Sequence, residues 1–151
     1  MDPQIIIASR VAKELRNGDL VNLGIGIPTL VANHVRSDLK VFFQSENGLI
    51  GTGPIPEQGL AHPTLTDAGA KRVIVAMQHA AKGKSKIVSK CTLPLTSVRP
   101  VDLVVTDMAV IGFPEGRATL LETAPGVSVE QVTAATQAQL AIPASVPGMQ
   151  L

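Results

Sequence analysis

The sequence predicts an α/β protein that contains at least one parallel strand pair. An apolar strand, a glycine loop, a short helix and a second strand follow one another within residues 20–44, which is the order of one βαβ unit. Two further apolar runs, at 72–77 and 101–106, have the length and composition of buried strands. The 151 residues are 45% hydrophobic and 17% charged, which is typical of one globular domain with a sizeable core.

The first element is a predicted helix over residues 4–17, because its apolar residues recur every four positions and share one face: Ile7, Val11 and Leu15. Gly18 stands where a helix C-terminus favours glycine. Four elements should follow: a strand over 20–23, a glycine loop over 24–28, a short helix that Thr29 caps or begins, and a strand over 41–44.

Glycines and prolines interrupt residues 51–69 so often that we expect an irregular surface loop there. Beyond it the pattern predicts five features: a strand over 72–77, a basic turn over 82–86 with a possible strand at 87–88, an extended segment over 91–96, a strand over 101–106, and a hairpin of 108–111 with 118–122. Ser128 should cap a helix over 129–140. Residues 141–151 should form a flexible C-terminal tail, because they contain two prolines and a glycine.

Composition excludes several classes of function. A formal net charge of +1 and only 2% aromatic residues argue against nucleic acid as a partner. The single cysteine, Cys91, cannot form an internal disulfide, and the three histidines lack helical ligand spacing, so we expect no metal site. No stretch approaches the ~20 apolar residues of a membrane span, and the first residues do not resemble a signal peptide. We therefore expect a cytoplasmic protein with no membrane partner.

The strongest candidate for chemistry is Glu46, in the run QSENGLIG at residues 44–51. A strand that ends in a sharp turn presents its next side chain at the carboxyl edge of the sheet, where α/β proteins bind ligands. A carboxylate held there can act as a nucleophile toward an acyl group. The alternative is a polar turn with a solvated glutamate, and spacing alone favours that alternative because such turns are common.

A second candidate is the glycine loop GIGIPT at residues 24–29. Backbone N–H groups between a strand and a helix can bind an anion or an oxyanion. A dinucleotide fingerprint would need a third glycine where Thr29 stands. A tight strand-to-helix turn is the structural alternative.

A basic stretch precedes Cys91 and contains Lys84, Lys86 and Lys90. The stretch could lower the pKa of the thiol, although a lone cysteine is more often a small apolar residue. The lysines are interpreted as a solvated turn, with contact to the phosphate groups of a nucleotide-like ligand as the alternative.

In combination, these motifs resemble the B-type chain of the 3-oxoacid CoA-transferases, a family that includes the succinyl-CoA:3-ketoacid and acetate/butyrate–acetoacetate enzymes. The resemblance rests on five segments spread over most of residues 4–140: VNLGIGIPT at 21–29, QSENGLIG at 44–51, KIVSKCTLPLT at 86–96, TDMAV at 106–110 and APGVS at 124–128. It implies an α/β fold with a mostly parallel sheet and helices on both faces, the B-module of the family.

The resemblance also implies a function for Glu46 as the catalytic carboxylate. It would attack an acyl-CoA thioester, and the coenzyme A thiolate would then convert the acyl anhydride into a glutamyl-CoA thioester. The residues expected to line the site or bind an oxyanion are Asn22, Gly24, Gly26, Asn47 and Gly48. Coenzyme A would be a substrate, with no permanently bound cofactor, and an A-type subunit would be the partner in a hetero-oligomer.

The chain departs from the family in its middle. Residues 65–69, LTDAG, run directly into AKRVIV at 70–75, whereas the family has a long central stretch with a glycine-rich loop there. We therefore expect a B-type domain over residues 1–140 with a deletion junction near 68–70. Three hypotheses remain: an active B-type subunit, a catalytically impaired remnant that binds a partner, and a CoA- or nucleotide-binding module that hydrolyses acyl-CoA slowly.

Overall fold

The structure, a computed structural model, describes residues 1–45, 70–94 and 99–151, with only the backbone of Ser45. Backbone contacts divide the chain into two compact units. Unit 1 comprises Met1–Thr66 with Leu151, and unit 2 comprises Asp67–Gln150. The irregular loop predicted over 51–69 lies outside the described residues, as do residues 95 and 96 of the predicted extended segment.

Unit 1 contains the predicted βαβ unit. Its elements are α1 (Pro3–Ala12), β1 (Leu20–Leu23), α2 (Ile27–Leu30) with a 3-10 turn over Val31–His34, and β2 (Phe42–Ser45). The strands β1 and β2 are parallel, with Leu20 opposite Phe42 and Leu23 opposite Ser45. The α/β class and the first parallel pair are therefore confirmed.

Helix α1 begins at Pro3 because the preceding residue, Asp2, caps its N-terminus. The Asp2 carboxylate accepts a hydrogen bond from the backbone N–H of Gln4 at 2.8 Å, and Pro3 occupies a position that needs no N–H donor. The α-helix ends five residues before the predicted end, because the N–H groups of Glu14 and Leu15 bond three residues back, to Val11 and Ala12.

Unit 2 is built on a four-stranded mixed sheet. Its elements are β3 (Ile74–Ala76), β4 (Ala80–Ala81), β5 (Lys84–Ser85), β6 (Leu103–Val105), β7 (Ala109–Gly112), β8 (Thr119–Thr123) and α3 (Val129–Ala135). The sheet order is β3-β6-β7-β8, and β4 and β5 form a separate antiparallel pair. Strands β3 and β6 are parallel, whereas the β6–β7 and β7–β8 pairs are antiparallel. The predicted hairpin around residue 115 is confirmed as β7 and β8.

The core of unit 2 lies between the sheet and α3. It is a cluster of buried apolar side chains: Val104, Ala109, Ile111, Leu120 and Val132. Ser128 caps α3 as predicted, through a reciprocal capping box with Gln131. The helix ends at Ala135 instead of residue 140, because Thr136 is extended and the next two N–H groups bond to the carbonyl of Ile87.

The C-terminal segment after residue 140 is held along β8, in contrast to the flexible tail predicted over 141–151. Leu120 N donates to Ala141 O at 3.0 Å, and Met149 N donates to Thr123 O at 2.8 Å. The Met149 side chain is only 6% exposed. The physical reason is that β8 is an edge strand whose unpaired backbone groups bond this segment, a tertiary effect that local composition does not reveal.

His79 is the most deeply buried titratable side chain among the described residues of unit 2, with 1% exposure. Its Nδ1 lies 3.0 Å from Thr106 Oγ1, and its Nε2 lies 3.0 Å from Thr136 Oγ1. The ring therefore joins the segment after β3 to the ends of β6 and α3.

Thr106 Oγ1 lies at the centre of the hydrogen bonds around the ring. It accepts hydrogen bonds from the N–H groups of Met108 and Ala109, at 3.1 and 2.9 Å, and it also donates to the carbonyl of Ala109 at 3.1 Å. Thr136 Oγ1 donates to the carbonyl of Val132 at 2.7 Å, so its lone pairs can accept an N–H from His79 Nε2. The ring is therefore held between two hydroxyls that belong to other elements.

We predict that unit 2 loses stability on acidification because of His79. Burial holds the pKa of His79 below its ordinary 6.5, although the nearby Asp107 charge partly opposes this. Below pH 6.5 the unfolded chain therefore binds more protons than the folded chain. The contribution of His79 to the free energy of unfolding should be fully present above pH 6.5 and should decrease as the pH falls below that value.

The measurement is urea denaturation across that range, on wild type and on His79→Gln, whose amide keeps one donor and one acceptor. The variant should be less stable at neutral pH, by about 1–3 kcal/mol for the imperfectly replaced hydrogen bonds, and should show a flatter acid dependence. An unchanged acid dependence in His79→Gln would contradict this role.

Candidate functional site

The candidate site begins where β1 and β2 end. Leu23 and Ser45 are the last residues of the two strands and lie opposite each other in the parallel register. The carboxyl ends of parallel strands meet at one edge of the sheet, which is the edge where open α/β sheets bind ligands. In the chain, Gly24 follows one strand end and Glu46 follows the other. The predicted residues Glu46, Asn47 and Gly48 lie outside the described residues.

Hydrogen bonds at the opposite ends of these strands set the register. Gly18 N donates to Lys40 O at 2.7 Å, and Lys40 N donates to the Asn17 side chain at 2.9 Å. Phe42 N then donates to Asp19 O at 2.8 Å. Since a slip of one residue would reverse the faces of a strand, these bonds keep Leu23 and Ser45 level at the carboxyl edge.

The turn before β2 is held by an exposed ion pair. Arg36 Nε donates to Asp38 Oδ1 at 2.9 Å, and the Arg36 guanidinium also contacts the second carboxylate oxygen. This hydrogen bond lowers the pKa of Asp38. Because exposed ion pairs contribute little free energy, this contact stabilises the turn only weakly.

Asn22 lies in β1, directly opposite Gln44 in β2. Its side chain is exposed on the same face of the sheet as Leu20 and Phe42, which are 60% and 54% exposed. Asn22 directly precedes Leu23, the last residue of β1, and its side chain is open to solvent. A polar amide at that position is available to a ligand at the edge.

Gly26 has the backbone conformation that most restricts the glycine loop. Its φ is +91° and its ψ is −130°, and it is the N-cap of α2. A side chain at this conformation is strained whatever space surrounds it. The carbonyl of Gly26 accepts hydrogen bonds from Thr29 N at 3.1 Å and Thr29 Oγ1 at 2.6 Å. Thr29 thus lies inside the short helix and ties it to the loop, and Gly26 takes the capping position.

The structure brings three of the predicted site residues to one end of unit 1. Asn22, Gly24 and Gly26 lie within a five-residue stretch at the carboxyl end of β1. The described ranges contain no group of three or more His, Cys, Asp or Glu side chains that could hold a metal ion. Within those same ranges, no helix has the length and apolar character needed to cross a membrane.

The basic turn predicted over residues 82–86 belongs to a hairpin in unit 2. The basic stretch forms an antiparallel hairpin, β4 and β5, in which Lys82 and Gly83 both have positive φ, at 51° and 73°. Two consecutive residues of positive φ match the type I′ hairpin turn. The Lys-Gly dipeptide was the available signal, but the flanking alanines gave no strand pattern. Residues 87–88, in contrast, form no strand.

This edge, with a polar side chain in one strand and a positive-φ glycine loop after it, belongs to an α/β protein and is of the kind at which open α/β sheets bind ligands. Comparison with known proteins identifies the family. The coenzyme A transferase family model matches residues 5–69 and 61–135, so the chain belongs to the coenzyme A transferase family.

Curated relatives refine the assignment to a B-type chain. The chain is 32% identical to the beta chain of the acetate CoA-transferase of Escherichia coli strain K12, over 210 positions that cover 95% of this chain and 96% of the relative. It is 33% identical to the B chain of a succinyl-CoA:3-ketoacid coenzyme A transferase of Helicobacter pylori, and the match covers 90% of this chain and 97% of the relative. The 210 aligned positions exceed the 151 residues of this chain by 59, so at least 59 positions of the relative have no counterpart in this chain.

Solved structures confirm the fold. An acyl-CoA transferase of E. coli O157:H7, YdiF, in a thioester complex with CoA, matches 99% of this chain at a TM-score of 0.74 and 16% identity, and the chain spans 43% of that protein. A chain of the AibA/AibB decarboxylase matches at a TM-score of 0.70 and 14% identity, and the match covers 99% of this chain and 89% of the decarboxylase chain. The expected α/β transferase fold is therefore confirmed, and it also occurs in a decarboxylase.

We predict that Gly26→Ala disrupts the glycine loop although no atom lies within 4 Å of the added Cβ. The cost comes from the backbone, because a non-glycine residue in such a conformation costs about 1–3 kcal/mol. Thermal denaturation should show a loss of stability of that size. The matched control is Gly148→Ala, which also meets open space but has no positive φ. Equal effects of the two substitutions would rule out strain at Gly26.

Proposed function

We propose that this chain transfers coenzyme A between a short-chain or 3-oxo acyl-CoA and a carboxylic acid, through a covalent glutamyl-CoA intermediate on Glu46. The observation that carries the proposal is the SENG run at residues 45–48, which begins at the last residue of β2. A carboxylate at that point of the chain follows the strand end that faces Leu23 and the glycine loop.

The first half of the reaction forms two covalent intermediates in turn. A carboxylate oxygen of Glu46 attacks the thioester carbonyl, the C–S bond breaks, and coenzyme A leaves as a thiolate. The thiolate then attacks the glutamyl carbonyl of the resulting anhydride, whose C–O bond breaks to release the first carboxylic acid. Glu46 now carries coenzyme A as a thioester, so the thioester energy is kept instead of being lost to water.

The second half repeats these steps in reverse order. An incoming carboxylate attacks the glutamyl thioester and displaces the thiolate. The thiolate attacks the acyl carbonyl of the new anhydride, which yields a new acyl-CoA and restores the Glu46 carboxylate. Each step passes through an oxyanion that preorganised hydrogen-bond donors would stabilise.

The described residues offer two kinds of group for this chemistry. The loop that contains Gly24 and Gly26 places backbone with little side-chain bulk at the strand end, so a thioester could approach closely. Asn22 offers an exposed amide two residues earlier. Asn47 and Gly48, which follow Glu46 directly in the chain, complete the proposed lining.

An A-type subunit is the proposed partner. The relatives are named as the beta or B chains of their enzymes, which implies a second type of chain in those enzymes. Coenzyme A enters and leaves as a substrate in the proposed cycle, and no step needs another cofactor.

The test is to trap the intermediate on Glu46. The purified chain, mixed with an A-type subunit and acetyl-CoA, should gain the mass of coenzyme A on a peptide containing Glu46. Hydroxylamine should release free coenzyme A and leave a hydroxamate on Glu46, and borohydride should reduce the glutamyl thioester to an alcohol. Glu46→Gln should abolish labelling, and Glu115→Gln, a matched change at an exposed glutamate, should retain it.

A second candidate function is that of a catalytically impaired remnant that binds a partner chain. The observation that favours it is the excess of 59 alignment positions over the chain length. We propose that a segment was lost from a single B-type domain over residues 1–140, at a junction near residues 68–70. The two family-model matches overlap at 61–69, close to this junction. If a glycine-rich loop was lost there, one missing oxyanion donor could lower the rate by about 10²- to 10³-fold. Failure to label Glu46 in the presence of a binding partner would favour this candidate.

A further inference from the structure

Charge is strongly segregated along this chain. Residues 68–101 contain seven lysines and arginines and no aspartate or glutamate, although the whole chain has 13 basic and 12 acidic residues. The remainder is therefore acidic, and the net charge of +1 conceals a local excess of positive charge. Such a local excess attracts anions even when the whole chain is nearly neutral.

The β4–β5 hairpin concentrates three of these charges. Lys82, Lys84 and Lys86 are all exposed, whereas Ser85 between the last two is partly buried. Because successive side chains of an extended segment alternate between faces, Lys84 and Lys86 share the outer face. Among the described residues, none of the three lysines forms an ion pair with a carboxylate. Their charges are therefore not neutralised within the described part of the chain.

The hairpin is anchored firmly to unit 2. Lys86 N donates to the carbonyl of His79 at 2.9 Å, which extends the β4–β5 pairing by one step. Ser85 Oγ donates to the Ile87 carbonyl at 3.0 Å, and that carbonyl also accepts the N–H groups that follow α3. The buried ring of His79 fixes the other strand of the hairpin. The lysines consequently project from a fixed backbone, so less conformational entropy is lost when they bind an anion.

We propose that this hairpin binds the phosphate groups of a 3′-phosphorylated adenosine diphosphate moiety, as found in coenzyme A. This inference rests on the proposed function, which makes coenzyme A a substrate. The ammonium groups of lysines are point charges that suit phosphates, and several of them on one hairpin match a ligand with both a monoester and a diphosphate. The pantetheine arm, which is uncharged, is not bound by this hairpin.

The test is calorimetric titration of the full-length chain with adenosine 3′,5′-diphosphate, coenzyme A and pantetheine. The double variant K82Q/K84Q should weaken binding of the diphosphate and of coenzyme A about tenfold, as expected for two exposed charge contacts. Its binding of pantetheine should not change. The control K13Q/K40Q removes two exposed charges from unit 1 and should bind like wild type, and K82R/K84R should restore binding.

Three outcomes would overturn the hairpin site: no binding of the diphosphate to wild type, equal binding by wild type and K82Q/K84Q, or an equal loss in K13Q/K40Q. Failure of the proposed function is distinguishable from these. Glu46→Gln should leave binding of the diphosphate unchanged, so a chain that binds through its lysines but never forms a glutamyl thioester would retain the hairpin site and lose the transfer function.

Discussion

Parallel strand pairing is the constraint on which both units depend. In unit 1 it places the ends of β1 and β2 side by side, so both strands end at the edge where the glycine loop begins. In unit 2 the parallel strands β3 and β6 place the segments that follow them close together, and His79 bonds Thr106 there at 3.0 Å. The same geometry thus serves a candidate reactive edge in one unit and a buried structural contact in the other.

Parallel strand pairing also requires that other elements bury the faces of the sheet. Parallel sheets are normally buried on both faces, yet Leu20 and Phe42, which face each other across β1 and β2, are more than half exposed. Unit 2 covers its β8 edge with the C-terminal segment, which protects an edge strand from pairing with other chains. At least 59 positions of the E. coli acetate CoA-transferase beta chain have no counterpart in this chain, and a shorter α/β chain has fewer elements with which to bury its strands.

Local sequence signals predicted the elements whose causes are local. The strand at 20–23, the Ser128 cap and the hairpin around residue 115 follow from apolar runs, a capping residue and turn residues, and the structure has each of them. Two of the errors, by contrast, have tertiary causes. Helix α3 is short because Thr136 turns toward His79, and the tail is held by the open edge of β8. At the site, sequence predicted Asn22, Gly24 and Gly26 as neighbours, but the φ of +91° at Gly26 was not available from the glycine pattern alone.

The central claim is that the carboxyl edge of β1 and β2 supports transfer of coenzyme A between carboxylic acids. The most direct measurement is isotope exchange, in which an acyl-CoA is incubated with its own ¹⁴C-labelled carboxylic acid and the label in the acyl-CoA is followed. With an A-type subunit present, the chain should move label into the acyl-CoA without accumulation of free coenzyme A, and Glu46→Gln should stop it. Release of free coenzyme A without label exchange would contradict the claim, because it would show hydrolysis at this edge instead of transfer.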